Sequence, residues 1–376
     1  MTTRRDFIKM TAAAGVAANI PSLAFPQPNH HSFTVSQESP KIWANLLHLS
    51  TNMWEDHAHI KKLVFWPDII EEEIHRDDYE CKTCRDAVAW GLRAYRPYLV
   101  HDESVWNKIL KQMSTAGMNM VVIDLGDAIQ YESHPEIAVK NAWSTQKLKK
   151  ELAKIRKLGL EPIPKMNFAT THDAWLGEYS RMVSTKKYYE VCQNLISEVI
   201  DLFDTPRFFH LGMDEETAGH QESFDYAVMR QNDLWWHDLY FFIDQTEKKG
   251  VRPWVWADYG WRYPDLFFKK MPKSVLLSNW YYESNFNLAE IKGSPKIRVE
   301  YYMKLEAAGY DQIPTGGNWL MDDCMEATVN FCKSNIDPSR LLGFMTTTWI
   351  PTLPLCLEDH LKAVDQVEHA KKRFYK

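Results

Sequence analysis

The stretch "RFFHLGMDEETAGH", residues 207–220, sets Asp214 beside Glu215 directly after a short apolar run. Two like charges a few ångströms apart raise each other's cost of ionising. A solvated turn tolerates such a pair. An acid–base site exploits it, because one carboxyl stays ionised while the other keeps a proton to give away. Other reactive or hydrogen-bonding side chains recur at comparable points. Asp124 and Asp127 lie at and after "NMVVIDL", Asn167 and His172 at and after "EPIPKMNF", His210 within "RFFHLGM", and Asp258 closes "RPWVWAD". Trp256, Trp280 and Trp349 stand at the ends of apolar runs, and Trp319 lies between two of them. Carboxylates hold hydroxyls and move protons, while indole faces stack on the apolar C–H faces of a pyranose. A single Trp reads as core. A ring of acids and indoles at one level reads as a sugar pocket.

Such a ring needs elements that end at one level. From about residue 100 onward, short apolar or β-branched runs alternate with amphipathic stretches at helical spacing. Strands are expected at 42–50, 119–125, 161–168, 207–213, 252–258, 274–280, 310–315 and 341–349. Helices are expected at 102–117, 144–159, 188–203, 232–250, 299–309, 322–335 and 357–374, with Ser144 or Thr145 as one cap and Gly250 as one stop. Continuous apolar strands alternating with helices imply a parallel sheet covered by helices. Eight units in some 330 residues fit a closed (β/α)8 TIM barrel, an α/β fold. An open doubly wound sheet is the alternative, but no glycine-rich phosphate loop follows the first strand. In a barrel of this kind reactive residues stand at the C-terminal ends of the strands. His210, Gly212 and Asp214 share one parity, which points to the interior. Residues 51–101 form an insertion after the first strand, expected over the barrel mouth.

The rest of the chain bounds the partners. It has 376 residues and a formal net charge of −6, with no long basic block, so nucleic acid is not expected. "TRRDFIK" places Arg4 and Arg5 ahead of a modest Ala-rich apolar stretch, which resembles a twin-arginine export signal. A small-x-small site at Ser22–Ala24 puts the signal at 1–24 and one catalytic domain at 25–376. The protein is then expected in the periplasm or outside the cell, carried by the twin-arginine machinery. The apolar run is too short for a comfortable membrane span, so no stable anchor is expected. Of six Cys, Cys81 and Cys84 form a lone C-x-x-C, half a zinc site at most, with His57, His59 and His75 upstream. It reads as a loop disulfide or plain thiols before a structural metal. The remaining Cys read as buried thiols.

"FHLGMDEE" resembles the H-x-G-G-D-E motif of the family 20 glycoside hydrolases, the exo-β-N-acetylhexosaminidases. The order of neighbours is similar too. "NMVVIDLGDAIQYESHPEI", "GLEPIPKMNFATTHDAW", "VWAD" and "LLGFMTTTW" resemble that family's strands two, three, five and eight, over roughly residues 100–355. The resemblance implies that Glu215 is the general acid and that Asp214 orients the substrate's 2-acetamido group. The acetamido oxygen then attacks the anomeric carbon, and an oxazolinium ion replaces a glycosyl-enzyme. On that scheme Asp214 stays ionised, and its charge together with burial raises the pKa of Glu215. The substrate would be an oligosaccharide or glycoconjugate, and no cofactor is required.

Several positions depart from the family. No Arg follows the first strand in "NLLHLSTNMW". Ile350 and Pro351 follow Trp349 where a Glu is expected, Lys165 and Asn167 stand in place of acids, and Met213 replaces a Gly. His48, the 51–101 insertion and Trp319 are the candidates for the missing contacts. Two other readings stay open. One is a glycosidase for non-acetamido sugars with Asp124, Asp127 or Asp258 as nucleophile or base. The other is a non-hydrolytic carbohydrate-binding barrel.

Overall fold

The structure, a computed structural model, describes residues 40–54, 95–221, 224–225, 227–319, 321 and 323–375. The expected signal at 1–24, Cys81 and Cys84, and most of the 51–101 insertion lie outside the described residues.

Eight parallel strands form the expected barrel: β1 Ile42–His48, β2 Met120–Asp124, β3 Glu161–Lys165, β4 Phe208–His210, β5 Arg252–Trp256, β6 Leu276–Ser278, β7 Thr315–Gly316 and β8 Gly343–Thr347. The ladder runs in chain order from β1 to β6, with β8 on the other side of β1 and β7 beyond it. Single parallel bridges, Leu277 to Gln312 and Trp280 to Thr315, join β6 to the β7 segment and close the ring. Inward residues make one core, including Ala44, Leu46, Val122, Ile163, Phe208, Trp254, Trp256, Leu276 and Met345. Their outward neighbours, such as Leu47, Val121, Ile123 and Phe209, join a second core under the helices. This two-residue alternation is the reason the strands read as continuous apolar runs: both faces are buried.

The helices cover the outside: α1 Glu103–Thr115, α2 Thr145–Lys157, α3 Lys186–Leu202, α4 Asp233–Glu247, α5 Pro264–Lys270, α6 Gly293–Ala307, α7 Cys324–Asn335 and α8 Leu357–Phe374. α1 buries Val105, Trp106, Ile109, Leu110 and Met113, a stripe at helical spacing. Side-chain caps fix three starts. Asp102 accepts from the Val105 N–H, Ser144 from Lys147 and Thr185 from Tyr188. The differences from expectation are local. α5 is a seven-residue helix started by Pro264, too short to show a period. α6 begins at Gly293, six residues before the expected start at 299. β4 ends at His210, three residues early, because the chain turns there to build the site.

Across the C-terminal end of the sheet, His48, Asp124, Lys165, His210 and Trp254 are aligned in register. Lys165 Nζ ion-pairs with Asp124 Oδ2, and His48 Nδ1 lies 3.4 Å from the same oxygen, all three groups buried. This polar layer is the floor on which the mouth of the barrel rests.

Candidate active site

The acidic pair sits on a contorted turn just past β4. Gly212, Met213 and Glu215 all have positive φ, at 73°, 73° and 53°. A Cβ on Gly212 would come within 2.0 Å of Asn167 Oδ1, so glycine is required there. The gap lets Asn167, from the end of β3, clasp the turn. Its Oδ1 accepts from the backbone N–H of Met213 at 3.2 Å, and its Nδ2 donates to Asp214 Oδ1 at 2.8 Å. Thr171 Oγ1 donates to the Asp214 carbonyl at 3.1 Å. From β5, Asp258 Oδ2 accepts the Glu215 N–H at 2.9 Å. Neighbouring strand ends thus hold a backbone conformation that two non-glycine residues adopt only at a cost.

His172 links the two acids. Its Nε2 lies 3.4 Å from Asp214 Oδ2 and 3.4 Å from Glu215 Oε2. His220 Nε2 approaches the other Glu215 oxygen at 3.5 Å. The Glu215 side chain is 29% exposed, against 9% for Asp214 and 5% for His172, so it is the member that faces incoming ligand. Burial alone would depress the His172 pKa. The Asp214 charge, then the hydrogen bond and charge of Glu215, raise it above the usual imidazole value. For Glu215 burial acts upward, but the His172 hydrogen bond and the positive charges of His172, His220 and Arg298 hold it below the usual carboxylate range. The expectation that burial and Asp214 raise the Glu215 pKa is therefore corrected. The two shifts favour a proton on His172, between two carboxylates. Asp258 behaves in the opposite way. Burial first, then the Asp214 charge, push it up to about 8, and it keeps its proton near neutrality.

The other predicted residues divide into two groups. Trp256 and Trp349 meet with ring centroids 5.8 Å apart, and Trp280 stacks on Tyr282 at 5.5 Å; all belong to the inward core under the mouth. Trp349 has a φ of 55° and donates its indole N–H to the Tyr282 hydroxyl at 2.8 Å. Trp319 packs against this cluster and against Ile350. His210 is buried lower down, between Trp254 and Trp256, and its Nδ1 accepts the Gly212 N–H at 3.1 Å. It supports the turn from below. Asp124 is committed to Lys165 and His48 in the floor layer. Asp127 is turned to the segment after β1, where Ser50 donates to it at 2.6 Å and Asn52 at 2.9 Å. Those two acids are not brought to the Asp214–Glu215 pair.

Sequence reasoning passed over three contributors. Tyr282 lies close enough to Glu215 and Asp214 for their charges, after burial, to help push its phenol well above the ordinary range. His220 carries no signal beyond its place in the quoted stretch. Arg298 enters from α6, its guanidinium 4.8 Å from the Trp261 ring and 4.7 Å from that of Trp280. Glu216, the third acid of the run, is not part of the reactive set. It makes a buried pair with Arg230, at 2.7 Å, and Arg230 also reaches Asp238 of α4 at 3.1 Å. A run of three acids next to an Arg fourteen residues on could have suggested it.

Among the described residues, His172, Asp214 and Glu215 each offer a ligand atom within 4.8 Å of the others, a spacing that could hold a divalent cation. The imidazolium of His172 offers the same two carboxylates a positive charge through Nε2, while its Nδ1 is buried without a partner. Chemically the arrangement holds one mobile proton between two acids beneath an aromatic rim.

No protein-family model matches the chain, and no match is found among curated proteins. Solved structures do match. A family 20 exo-β-N-acetylglucosaminidase from Vibrio harveyi is 13% identical, with a TM-score of 0.51 over 72% of this chain and 52% of that one. A β-N-acetylhexosaminidase from Bacteroides fragilis is 13% identical, with a TM-score of 0.50 over 87% of this chain and 65% of that one. A mutant Streptomyces plicatus β-hexosaminidase in complex with its product GlcNAc is 13% identical, with a TM-score of 0.53 over 72% and 61%. The chain spans 52% to 65% of the length of these three proteins. At such identities the likeness is one of architecture: this chain is similar in fold to the β-N-acetylhexosaminidase barrels.

Proposed function

We propose that the protein is a glycoside hydrolase acting on β-linked N-acetylhexosamine-type sugars by substrate-assisted, retaining catalysis. The observation that carries this reading is the triad Asp214–His172–Glu215 at the C-terminal rim of a (β/α)8 barrel. Glu215 is the general acid toward the glycosidic oxygen, and His172 supplies its proton. When a sugar displaces water around the triad, the proton moves from imidazolium to carboxylate and then to the leaving oxygen. Asp214, pinned by Asn167, orients the 2-acetamido group and stabilises the positive charge that develops as its oxygen attacks the anomeric carbon. The half-buried Trp349, backed by the buried Trp256, Trp280 and Tyr282, supplies an aromatic wall. The fold shared with the hexosaminidases supports the same reading. A protein nucleophile finds less support: Asp124 and Asp127 are engaged elsewhere, and a carboxyl at about 8 such as Asp258 is a poor nucleophile near neutrality.

The test is release of nitrophenol from the β-GlcNAc, β-GalNAc, β-glucoside and β-galactoside. Cleavage is expected for the acetamido sugars alone, with kcat lower by roughly 10²–10⁴-fold in Glu215→Gln. Equal cleavage of the plain glycosides, or undiminished activity in that variant, overturns the assignment. Export by the twin-arginine route is part of this reading, on the strength of Arg4 and Arg5. Replacing both by Lys should leave the protein in the cytoplasmic fraction. Unchanged secretion would remove that part.

A further inference from the structure

A cavity of about 370 Å³ opens beside Glu215, within the roughly 300–1,000 Å³ range of small-molecule sites. Its wall includes Glu215 and Asp258 but none of Trp256, Trp280 and Trp349. Other lining residues are Met229 and Asn232 from the segment after β4, Tyr259, Arg262 and Tyr263 from the stretch between β5 and α5, and Leu266 of α5. A proton donor must stand between the sugar whose bond breaks and the group that leaves. Glu215 borders this cavity, and its charge also reaches Tyr282, which stacks on Trp280, so the cavity is placed to receive the leaving group. Tyr259 and Tyr263 give it aromatic faces, with ring centroids 5.4 Å apart.

Its charges are unbalanced. Glu216 and Arg230, which also line it, neutralise each other. Asp258 holds its proton near neutrality, and Glu215 is uncharged whenever it is ready to donate. What is left over is Arg262, which among the described residues has neither an ion pair nor a hydrogen-bonded acceptor. Arg298, stacked on Trp261 next to it in sequence, also lacks a carboxylate partner among the described residues, and its Nε is buried without an acceptor. Its charge is felt at Glu215. Guanidinium charge near an acid favours the ionised carboxylate and so opposes Glu215 holding a proton before donation, unless an anion sits with the exposed Arg262 of the cavity wall. Arginine's planar fork suits carboxylates and sulfates in particular.

We propose that this cavity is the leaving-group subsite and that it takes a saccharide bearing an anionic group, a carboxylate or a sulfate ester, held by the Arg262 guanidinium. The inference rests on the hydrolytic reading for its name as a leaving-group site, and the test separates the two. The substrates are 3-carboxy-4-nitrophenyl β-N-acetylglucosaminide and its methylamide, which differ in charge at the same ring position. The ratio of kcat/KM, acid over amide, is expected to be roughly tenfold in the wild type, carried by KM. It should fall toward one in Arg262→Gln, be partly kept in Arg262→Lys, and shrink in high salt. A wild-type ratio at or below one, with the amide cleaved, overturns the inference and leaves the hydrolytic reading standing. If neither compound is cleaved, the hydrolytic reading fails, and the inference is decided by binding. Trp235 stacks on Tyr259 at 4.0 Å in the cavity wall and reports occupancy by its fluorescence. Saturation by glucuronic acid or by glucose 6-sulfate, but not by glucose, and its loss in Arg262→Gln, sustains an anion-selective saccharide site and shows which anion it takes. No preference over glucose overturns it.

Discussion

Of the residues at the mouth, His172 distinguishes this site most sharply from a plain pair of acids. It lies 3.4 Å from both carboxylates, and on the proposed mechanism it carries the proton that the general acid needs. The alkaline limb of kcat/KM should therefore follow the imidazolium and lie above the usual imidazole value of about 6.5. In His172→Gln that limb should move toward lower pH, because Glu215 then has to bind its proton from solvent. A pH–rate profile unaltered by the substitution would show that Glu215 is charged with its proton by another route. The place of the Asp–Glu pair just past a strand was legible in the sequence, since it follows an apolar run directly. The direction of the Glu215 shift was not legible. It is set, against burial, first by the hydrogen bond and charge of His172 and then by His220 and Arg298, and spacing alone does not announce that convergence.

At the scale of elements, the alternation of buried strands and amphipathic helices made the barrel legible, because the period-two and period-3.6 patterns survive in single segments. α5 and the true start of α6 were not legible, being short or lacking a clear apolar stripe. Nor did the sequence separate Asp127 from the reactive acids: a strand's end is readable, but the direction a loop residue turns is set by its partners, here Ser50 and Asn52. The connection from β4 to α4 is held by another such partner set. Arg230 accepts no substitute easily, for it donates to Glu216, to Asp238 and to the Phe168 carbonyl at 2.6 Å, all buried. Arg230→Met should cost roughly 3–5 kcal/mol, because two carboxylates lose their counter-charge. Glu216→Gln should cost less, since Arg230 keeps Asp238. Urea denaturation of the two variants measures this order, and equal costs would mean that the network is looser than its geometry.

For the molecule as a whole, buried titratable groups set the pH at which the fold is most stable. Burial pushes Asp127 up to about 7 and Asp173 and Asp258 up to about 8, against an ordinary 3.8. Between the unfolded and folded values the native state binds more protons than the unfolded chain, so stability falls as pH rises. Burial likewise lowers His101 and His360 to about 4, and there the sign reverses: stability falls as pH drops from 6.5 toward 4. Below 6.5 the two effects oppose each other. Above 6.5 the carboxyls act alone, joined by His172, whose raised pKa adds stability that is lost as pH climbs through it. Melting temperature is expected to decline from pH 6.5 to 8, by an amount on the order of a few kcal/mol in free energy. The decline should be shallower in Asp258→Asn. A melting temperature that rises over this interval would contradict the assignment of protonated carboxyls to the interior.

The layer of His48, Asp124 and Lys165 beneath the mouth bears on how such a barrel changes over generations. A lysine sealed inside a barrel is tolerable because an aspartate faces it, and the aspartate is tolerable for the same reason. Either residue altered alone strands a charge away from water, so the layer is reached or abandoned by coupled substitutions and resists single steps.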